Sequence, residues 1–471
     1  MSSSTQVQNL EEVMPDASAG AAPARARWEN ERGGIREVVV LGAPVVLTQM
    51  SITAMQTVDS MMVGSLGATE LGAVGFGGIW LWTFLCFFVG TTSAVQTFVS
   101  QHYGGGEYDR CGYWSWQGMY ATVPLAGLVS ATLFFGAGPL MEILRPSETM
   151  RPLAADYVSA RALGGVGLCI AVALSSFFRG LGDTRTPLYA TLAANAVNIV
   201  LDYGLIFGRL GLPELGVRGA GIATAVAEWV YMLALVRWFL SRETADRHAT
   251  HPVLPSGAAV RRILGTGMPI GGQWWLGMTS FAAFSTLVAQ LGDVAMAASQ
   301  AFLLLLSLSF MQAIGISMAV TTLVGQYIGA KDPESAERSF RSGLVLAAWL
   351  AGGVALLFVV ARTPLLGLFT NDPDVLALGA SLLLVGAAFQ LFDAIAIVAD
   401  GALRGAGDTR WPFLVRFAFA WGVFLPLAWT LGFYLEGGLP WAWIGGLVEI
   451  CLLSLALIWR FRSGAWRRIR I

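Results

Sequence analysis

Asp59, Asn198, Asp202 and Thr224 are polar residues set in long apolar stretches. An ionisable side chain at the centre of a membrane helix costs roughly 2.5 to 3.5 kcal/mol, so such residues are functional by default. Asn198 and Asp202 are four apart and share one helix face, with Asn195 nearly one turn further along. Two carboxylates, two amides and a hydroxyl are a set that could hold a proton or a sodium ion. Carboxylates held close together in a low dielectric do not both stay ionised without a cation. The alternative is that these groups only tie helices together. The other acidic residues in apolar stretches are Glu228, Asp393, Asp400 and Glu449, and the two basic residues that fall within spans are Arg161 and Arg416.

The elements that must position them are membrane-spanning helices. Of 471 residues, 55% are hydrophobic and only 13% charged, against about 25% charged in an ordinary soluble domain. The length accommodates roughly a dozen spans of about 20 residues. They are expected at about 37–64, 70–100, 112–137, 153–178, 187–208, 217–240, 262–291, 295–325, 339–361, 375–403, 412–434 and 438–459. In lipid the backbone must satisfy its own hydrogen bonds, and the apolar runs lack the alternation of a barrel strand, so the spans are helical.

Most of the 29 Lys and Arg residues fall in one set of loops and tails, including Arg237, Arg242, Arg247, Arg261 and Arg262. The loops on the other side hold Arg145, Arg151, Arg209, Arg218 and Arg362. This bias predicts that both termini are cytoplasmic, in a plasma (bacterial inner) membrane. Residues 1–34 are polar and lack an apolar core, which predicts a disordered cytoplasmic tail rather than a signal peptide.

Depth then sorts the polar residues. Asp59 is five residues before Gly64, Asp202 six before Gly208, and Thr224 seven after Val217. At 1.5 Å per residue all three lie roughly 8 to 10 Å below the outer surface. Asp400 and Arg416, near the cytoplasmic helix ends, are expected to snorkel. The three histidines, His102, His248 and His251, fall in loops, so proton coupling within the membrane would have to use carboxylates. The four cysteines lack metal-site spacing, and no nucleic-acid motif is present.

Sliding the sequence against itself by 225 residues aligns Pro44 with Pro269, Gln101 with Gln326, Gly104 with Gly329 and Gly118 with Gly343. It also aligns Arg179-Gly180-Leu181-Gly182-Asp183-Thr184-Arg185-Thr186-Pro187 with Arg404-Gly405-Ala406-Gly407-Asp408-Thr409-Arg410-Trp411-Pro412. Six spans per copy make the repeats parallel, related by a pseudo-two-fold axis along the membrane normal. The predicted fold is therefore an all-α integral membrane protein of twelve transmembrane helices in two six-helix bundles. The domains are 1–34 (tail), 35–241 (N-terminal lobe), 242–260 (cytoplasmic linker) and 261–471 (C-terminal lobe with a short basic tail). Two such bundles enclose a cleft and can rock, which points to a secondary transporter. The repeated Arg-Gly segment reads as a helix junction, with Gly ending one helix, Asp or Thr capping the next and Pro in its first turn. A role in closing the inner gate is the alternative.

The shift places Phe284, Ala420, Val423 and Leu427 where the first copy has Asp59, Asn195, Asn198 and Asp202, so that polar cluster is not duplicated. Glu228 and Glu449 occupy corresponding places in spans six and twelve, as a symmetric packing feature or a functional one. A cleft for flat amphipathic cations would be lined by apolar and aromatic faces. Trp274 and Trp275 in span seven are the candidates, with lipid contact as their alternative role.

From about residue 35 onward the chain resembles the multidrug and toxic compound extrusion (MATE) family. The resemblance rests on Pro44, on Gln56-Thr57-Val58-Asp59 with Val63-Gly64, and on Gln101 and Gly104 with their repeats. It rests also on both Arg-Gly-x-Gly-Asp-Thr-Arg segments and on Gly219-Ala220-Gly221-Ile222-Ala223-Thr224. It implies two six-helix lobes, a V-shaped cleft, and export of organic cations and other amphipathic compounds in exchange for protons or sodium ions. The protein is then a multidrug antiporter for xenobiotics, not an enzyme, with no cofactor beyond the coupling ion, and acts as a monomer in membrane lipid. Within the family, Asp59, Asn198, Asp202 and Thr224, flanked by Asn195, look like the N-lobe cation site of the DinF-type branch. Pro44 looks like the proline at which the first helix bends, and Gln56 is expected at the substrate cleft. Asp393 looks like the span-ten acid of the NorM-type branch, whose span-seven Glu is replaced here by Gly277. The runner-up reading is a lipid-linked oligosaccharide flippase of the same superfamily, which should have a basic cleft for its diphosphate headgroup.

Overall fold

The computed structural model describes residues 32–368 and 372–469. Residues 1–31 of the expected tail and Arg470 of the basic tail lie outside the described residues. Within them the chain is helical, with no strand. The twelve spans are Ile35–Gly64, Ala68–Gly104, Asp109–Leu144, Met150–Ala162 with Gly165–Leu181, Arg185–Phe207, Gly216–Phe239, Gly257–Ala289, Asp293–Gly329, Pro333–Val360, Pro373–Gly405, Arg410–Tyr434 and Gly438–Arg462. Among the described residues ten helices are long and apolar enough to cross a membrane, and the bent fourth span makes an eleventh. Span seven is long enough at 33 residues, but its most apolar stretch is less apolar than those of the other spans.

Three spans depart from a single regular helix. Span two breaks between Thr92 and Val95. Span four bends by 45°, and the Leu163 carbonyl at the bend accepts a hydrogen bond from Trp229 Nε1 (2.9 Å). Span eleven contains two five-residue π turns, Ala420–Phe424 and Thr430–Tyr434. Span one, by contrast, continues as one helix through Pro44. The Thr48 hydroxyl donates to the Pro44 carbonyl (2.8 Å).

Spans one to six and seven to twelve form two bundles, each with its own apolar core. In the first, Val63, Leu85, Tyr157 and Ile206 are packed in one half and Val99, Leu174, Phe177 and Phe239 in the other. Contacts between the bundles obey the two-fold relation, because span one packs on span eight and span seven on span two. Small residues make the approach possible. A Cβ on Gly315 would collide with Val46, and one on Gly271 with the Phe87 carbonyl and Thr91.

The chain enters each bundle across the other one. Residues 32–34, ahead of span one, lie on span nine, where Ser342 Oγ donates to the Gly33 carbonyl (2.8 Å) and Arg338 to the Arg32 carbonyl (3.1 Å). The segment ahead of span seven follows a short helix, Arg242–His248, and lies along span three. There Trp116, Tyr120 and Gln117 donate to the carbonyls of Thr250, Val253 and Leu254 (3.0, 2.8 and 2.8 Å). The two ends of the described chain and this linker lie on one face, called here the terminal face.

The repeated Arg-Gly segments form the helix junctions expected of them. Gly182 and Gly407 take the left-handed conformation (φ 88° and 82°), which favours glycine. Asp183 Oδ1 caps the next helix by accepting from the N–H groups of Arg185 and Thr186 (3.1 and 3.0 Å). In the second copy the cap is replaced: Asp408 pairs with Arg460 of span twelve (2.7 Å).

Candidate cation site and central cleft

The site is built by close packing of spans one, five and six. A sharp turn at Gly208–Leu215 brings span six back along span five, and Leu215 N–H donates to the Leu205 carbonyl (2.8 Å). At the start of span six a Cβ on Gly219 would strike the Leu205 backbone, and one on Gly221 would strike Ala160 of span four. These glycines let span six seat between spans four and five. Thr224, a turn deeper, then faces span five.

Asp59, Asn195, Asn198, Asp202 and Thr224 are all buried, Asn198 and Asp202 completely. Asn198 Nδ2 donates to Thr224 Oγ1 (3.5 Å), whose hydroxyl donates to the Ala220 carbonyl (3.0 Å). Asn195 Nδ2 reaches span one at Ser51 Oγ and the Ser51 carbonyl (2.7 and 3.0 Å). The Asp59 and Asp202 carboxylates lie within electrostatic reach of each other. Asp59 Oδ1, Asn198 Oδ1 and both oxygens of Asp202 are buried with no hydrogen-bond partner. Desolvated, unpartnered oxygens are costly unless a cation or proton meets them. The arrangement can therefore hold one small hard cation or share a proton.

One neighbour of the site was not anticipated. Arg161 at the bend of span four and Glu228 of span six form a two-pronged ion pair (both contacts 2.6 Å), and Arg161 lies within electrostatic reach of Asp59. The signal was available in depth: Arg161 is eleven residues into its span and Glu228 twelve into its own. Both spans start from the same face, so each residue lies about 17 Å in.

The second bundle fills the equivalent volume differently. Phe284, in the place of Asp59, packs its ring on Phe424 and Trp443 (centroids 5.0 and 4.9 Å). Ala420 and Val423, in the places of Asn195 and Asn198, fall in a π turn of span eleven. Glu449 has no ion pair among the described residues and lies within electrostatic reach of Arg416, so it is not a copy of the Arg161–Glu228 arrangement. Asp393 is buried with Oδ2 unpartnered, beside the equally unpartnered Oε1 of Gln390 one turn away. Gly277 faces open space, with nothing within 4 Å of where a Cβ would stand. The expectation that Asp400 snorkels is wrong: it is 5% exposed and paired with Arg404 one turn along its own helix. That internal partner removes the reason to reach for solvent.

Gln56 is exposed one turn from buried Asp59. Trp274 meets Trp82 of span two across the boundary between the bundles (centroids 6.5 Å), and Trp275 is 45% exposed. Among the described residues no hydrogen bond or ring contact joins the bundles nearer the opposite face than this tryptophan pair. Outside the spans, His248 packs among Tyr103, Tyr108 and Phe177, where burial pushes its pKa below 6.5.

A family model described as MatE matches residues 44–204 and again 269–430, two segments whose starts are offset by the same 225 residues as the internal repeat. The chain is 33% identical over 459 residues to a protein of Geobacillus kaustophilus named probable multidrug resistance protein NorM, covering 96% of this chain and 98% of the relative. It shares its fold with the Vibrio cholerae MATE transporter VcmN in the bent form (TM-score 0.81, 20% identity, 92% of this chain and 97% of that one). It also shares it with a MOP superfamily transporter from Pyrococcus furiosus described by the reverse polarity of its binding pocket (TM-score 0.83, 18% identity, 92% and 97%).

Proposed function

Because the chain belongs to the multidrug and toxic compound extrusion family, whose members are transporters and not enzymes, we propose that it exports amphipathic, cationic small molecules in exchange for a proton or a sodium ion. It is an integral membrane protein of the multidrug efflux type. The antiport reading is carried by one observation: four buried, unpartnered oxygens on Asp59, Asn198 and Asp202, with Thr224 beside them. Such a cluster has a differential affinity for a cation, which is what a coupled transporter needs to shift between two packings. We assign the terminal face to the cytoplasm from its excess of Lys and Arg, in a bacterial inner membrane.

The links between bundles run from the terminal face to mid-depth, which supports a cleft open to the outside. Trp82, Trp274, Trp275 and Gln56 are its lining, and a bend at Pro44 is the motion that would couple ion to substrate. Asp393 is the second candidate for an ion. The flippase reading requires a basic cleft. Of the two basic residues predicted within spans, Arg161 is neutralised by Glu228, which favours a neutral or cationic substrate.

The test is efflux of a cationic dye from vesicles under an imposed proton gradient and, separately, a sodium gradient. Concentrative export under one of them is expected. Movement only down the dye's own gradient under both would overturn antiport.

A further inference from the structure

We propose that the terminal face is closed by a reciprocal latch in which Thr97 and Gln101 of the first bundle, and Thr322 and Gln326 of the second, each hold the end of a helix in the opposite bundle. Thr97 Oγ1 donates to the Arg404 carbonyl (3.0 Å) and Gln101 Nε2 to the Gly405 carbonyl (2.9 Å). Thr322 Oγ1 donates to the Arg179 carbonyl and Gln326 Nε2 to the Gly180 carbonyl (both 2.9 Å). Each donor and each acceptor in the first pair is 225 residues from its counterpart in the second, so the two-fold relation exchanges the two halves of the latch.

The Gly180 and Gly405 carbonyls, at the ends of spans four and ten, are left without a backbone partner and find one in the opposite bundle, while the Arg179 and Arg404 carbonyls also accept from the N–H groups of Gly182 and Gly407 (both 2.9 Å). Gly182 and Gly407 turn the chain just beyond them and leave the Gly180 and Gly405 oxygens facing the other bundle. Spans two and eight cross between them at very close range. A Cβ on Gly104 would overlap the Gln326 carbonyl, and one on Gly329 the Gln101 carbonyl. The repeated glutamines, glycines and Arg-Gly segments are thus one device, recorded twice because each copy must grip the other.

Donors and acceptors of this kind exchange one another for water when the bundles part, so the latch can open without leaving a buried polar group unpaired. The grip is geometrically symmetric but electrically uneven. Arg404 is paired with Asp400, whereas the equivalent place in the first bundle is Ser175, whose hydroxyl accepts from Arg179 (2.6 Å).

The inference rests on the alternating-access reading, but it is tested without substrate or gradient, so its failure and that of antiport are distinguishable. Asp109 and Glu334 are exposed, 225 residues apart, at the terminal-face starts of spans three and nine. Spin labels on Asp109→Cys and Glu334→Cys, with the native cysteines replaced, report the separation of the bundles by pulsed electron resonance in lipid nanodiscs. In Gln101→Ala and Gln326→Ala the ratio of long-distance to short-distance populations should rise roughly threefold to tenfold each, and further in the double variant. The isosteric Thr97→Val with Thr322→Val should act the same way, and Thr97→Ser with Thr322→Ser should restore the original distribution. Distributions unchanged in both double variants would overturn the latch.

Discussion

Asp59 and Phe284 stand at equivalent positions of the two copies, and the first is a buried carboxylate with an unpartnered oxygen while the second is the centre of an aromatic cluster with Phe424 and Trp443. The two lobes share a backbone plan and differ in what fills it. One carries a site that can bind charge, and the other a packed core at the same place.

That difference predicts the outcome of moving the carboxylate. Phe284→Ala should destabilise the second bundle by about 3–5 kcal/mol, as for other large aromatic truncations, read as lowered thermal stability in detergent. Phe284→Asp placed in an Asp59→Asn background should not restore ion-driven efflux, because its neighbours are rings rather than oxygens. Restored coupling would show that the lobes are interchangeable, contrary to this account.

Arg161 and Glu228 should behave as one unit. Arg161→Met or Glu228→Leu alone leaves a charge uncompensated in the membrane interior and should cost about 3–5 kcal/mol, while the double variant should cost much less than the sum. A double-mutant cycle on thermal unfolding reads this directly. Additive losses would mean that the pair is not energetically coupled.

How much of this was legible in the sequence differs by level. Apolar runs of span length and two copies of the Arg-Gly segment were enough for the twelve spans and the two bundles. The bend at Leu163–Gly164 and the π turns of span eleven were not readable, since both leave the hydropathy pattern continuous. The members of the candidate cation cluster were singled out by depth, because an odd polar residue in an apolar run is conspicuous, and the structure brings them together on spans one, five and six. The Arg161–Glu228 pair was missed because pairing between helices is decided by which faces meet, whereas the Asp400–Arg404 pair, four apart on one helix, was present in the spacing and overlooked. The latch was present in the sequence as separate repeated residues, and only the crossing of spans two and eight shows what Gln101 and Gln326 hold.

The linker ahead of span seven should respond to acid. Burial holds the folded-state pKa of His248 below 6.5, so its contribution to linker docking is fully present above about pH 6.5 and is lost as pH falls through the folded value. Hydrogen exchange at residues 240–256, corrected for intrinsic rates, should therefore speed up on acidification, and His248→Phe should flatten that dependence. A pH-independent linker in the native protein would place the docking energy elsewhere.

Coupling through Asp59 and Asp202 is tested most directly by ion-driven efflux from vesicles with Asp59→Asn and Asp202→Asn made singly. Each variant should insert and fold, and each should lose concentrative export under both the proton and the sodium gradient, while Asp393→Asn keeps it. If both N-lobe variants still concentrated substrate against its gradient, the coupling site would lie elsewhere, with Asp393 the next residue to examine.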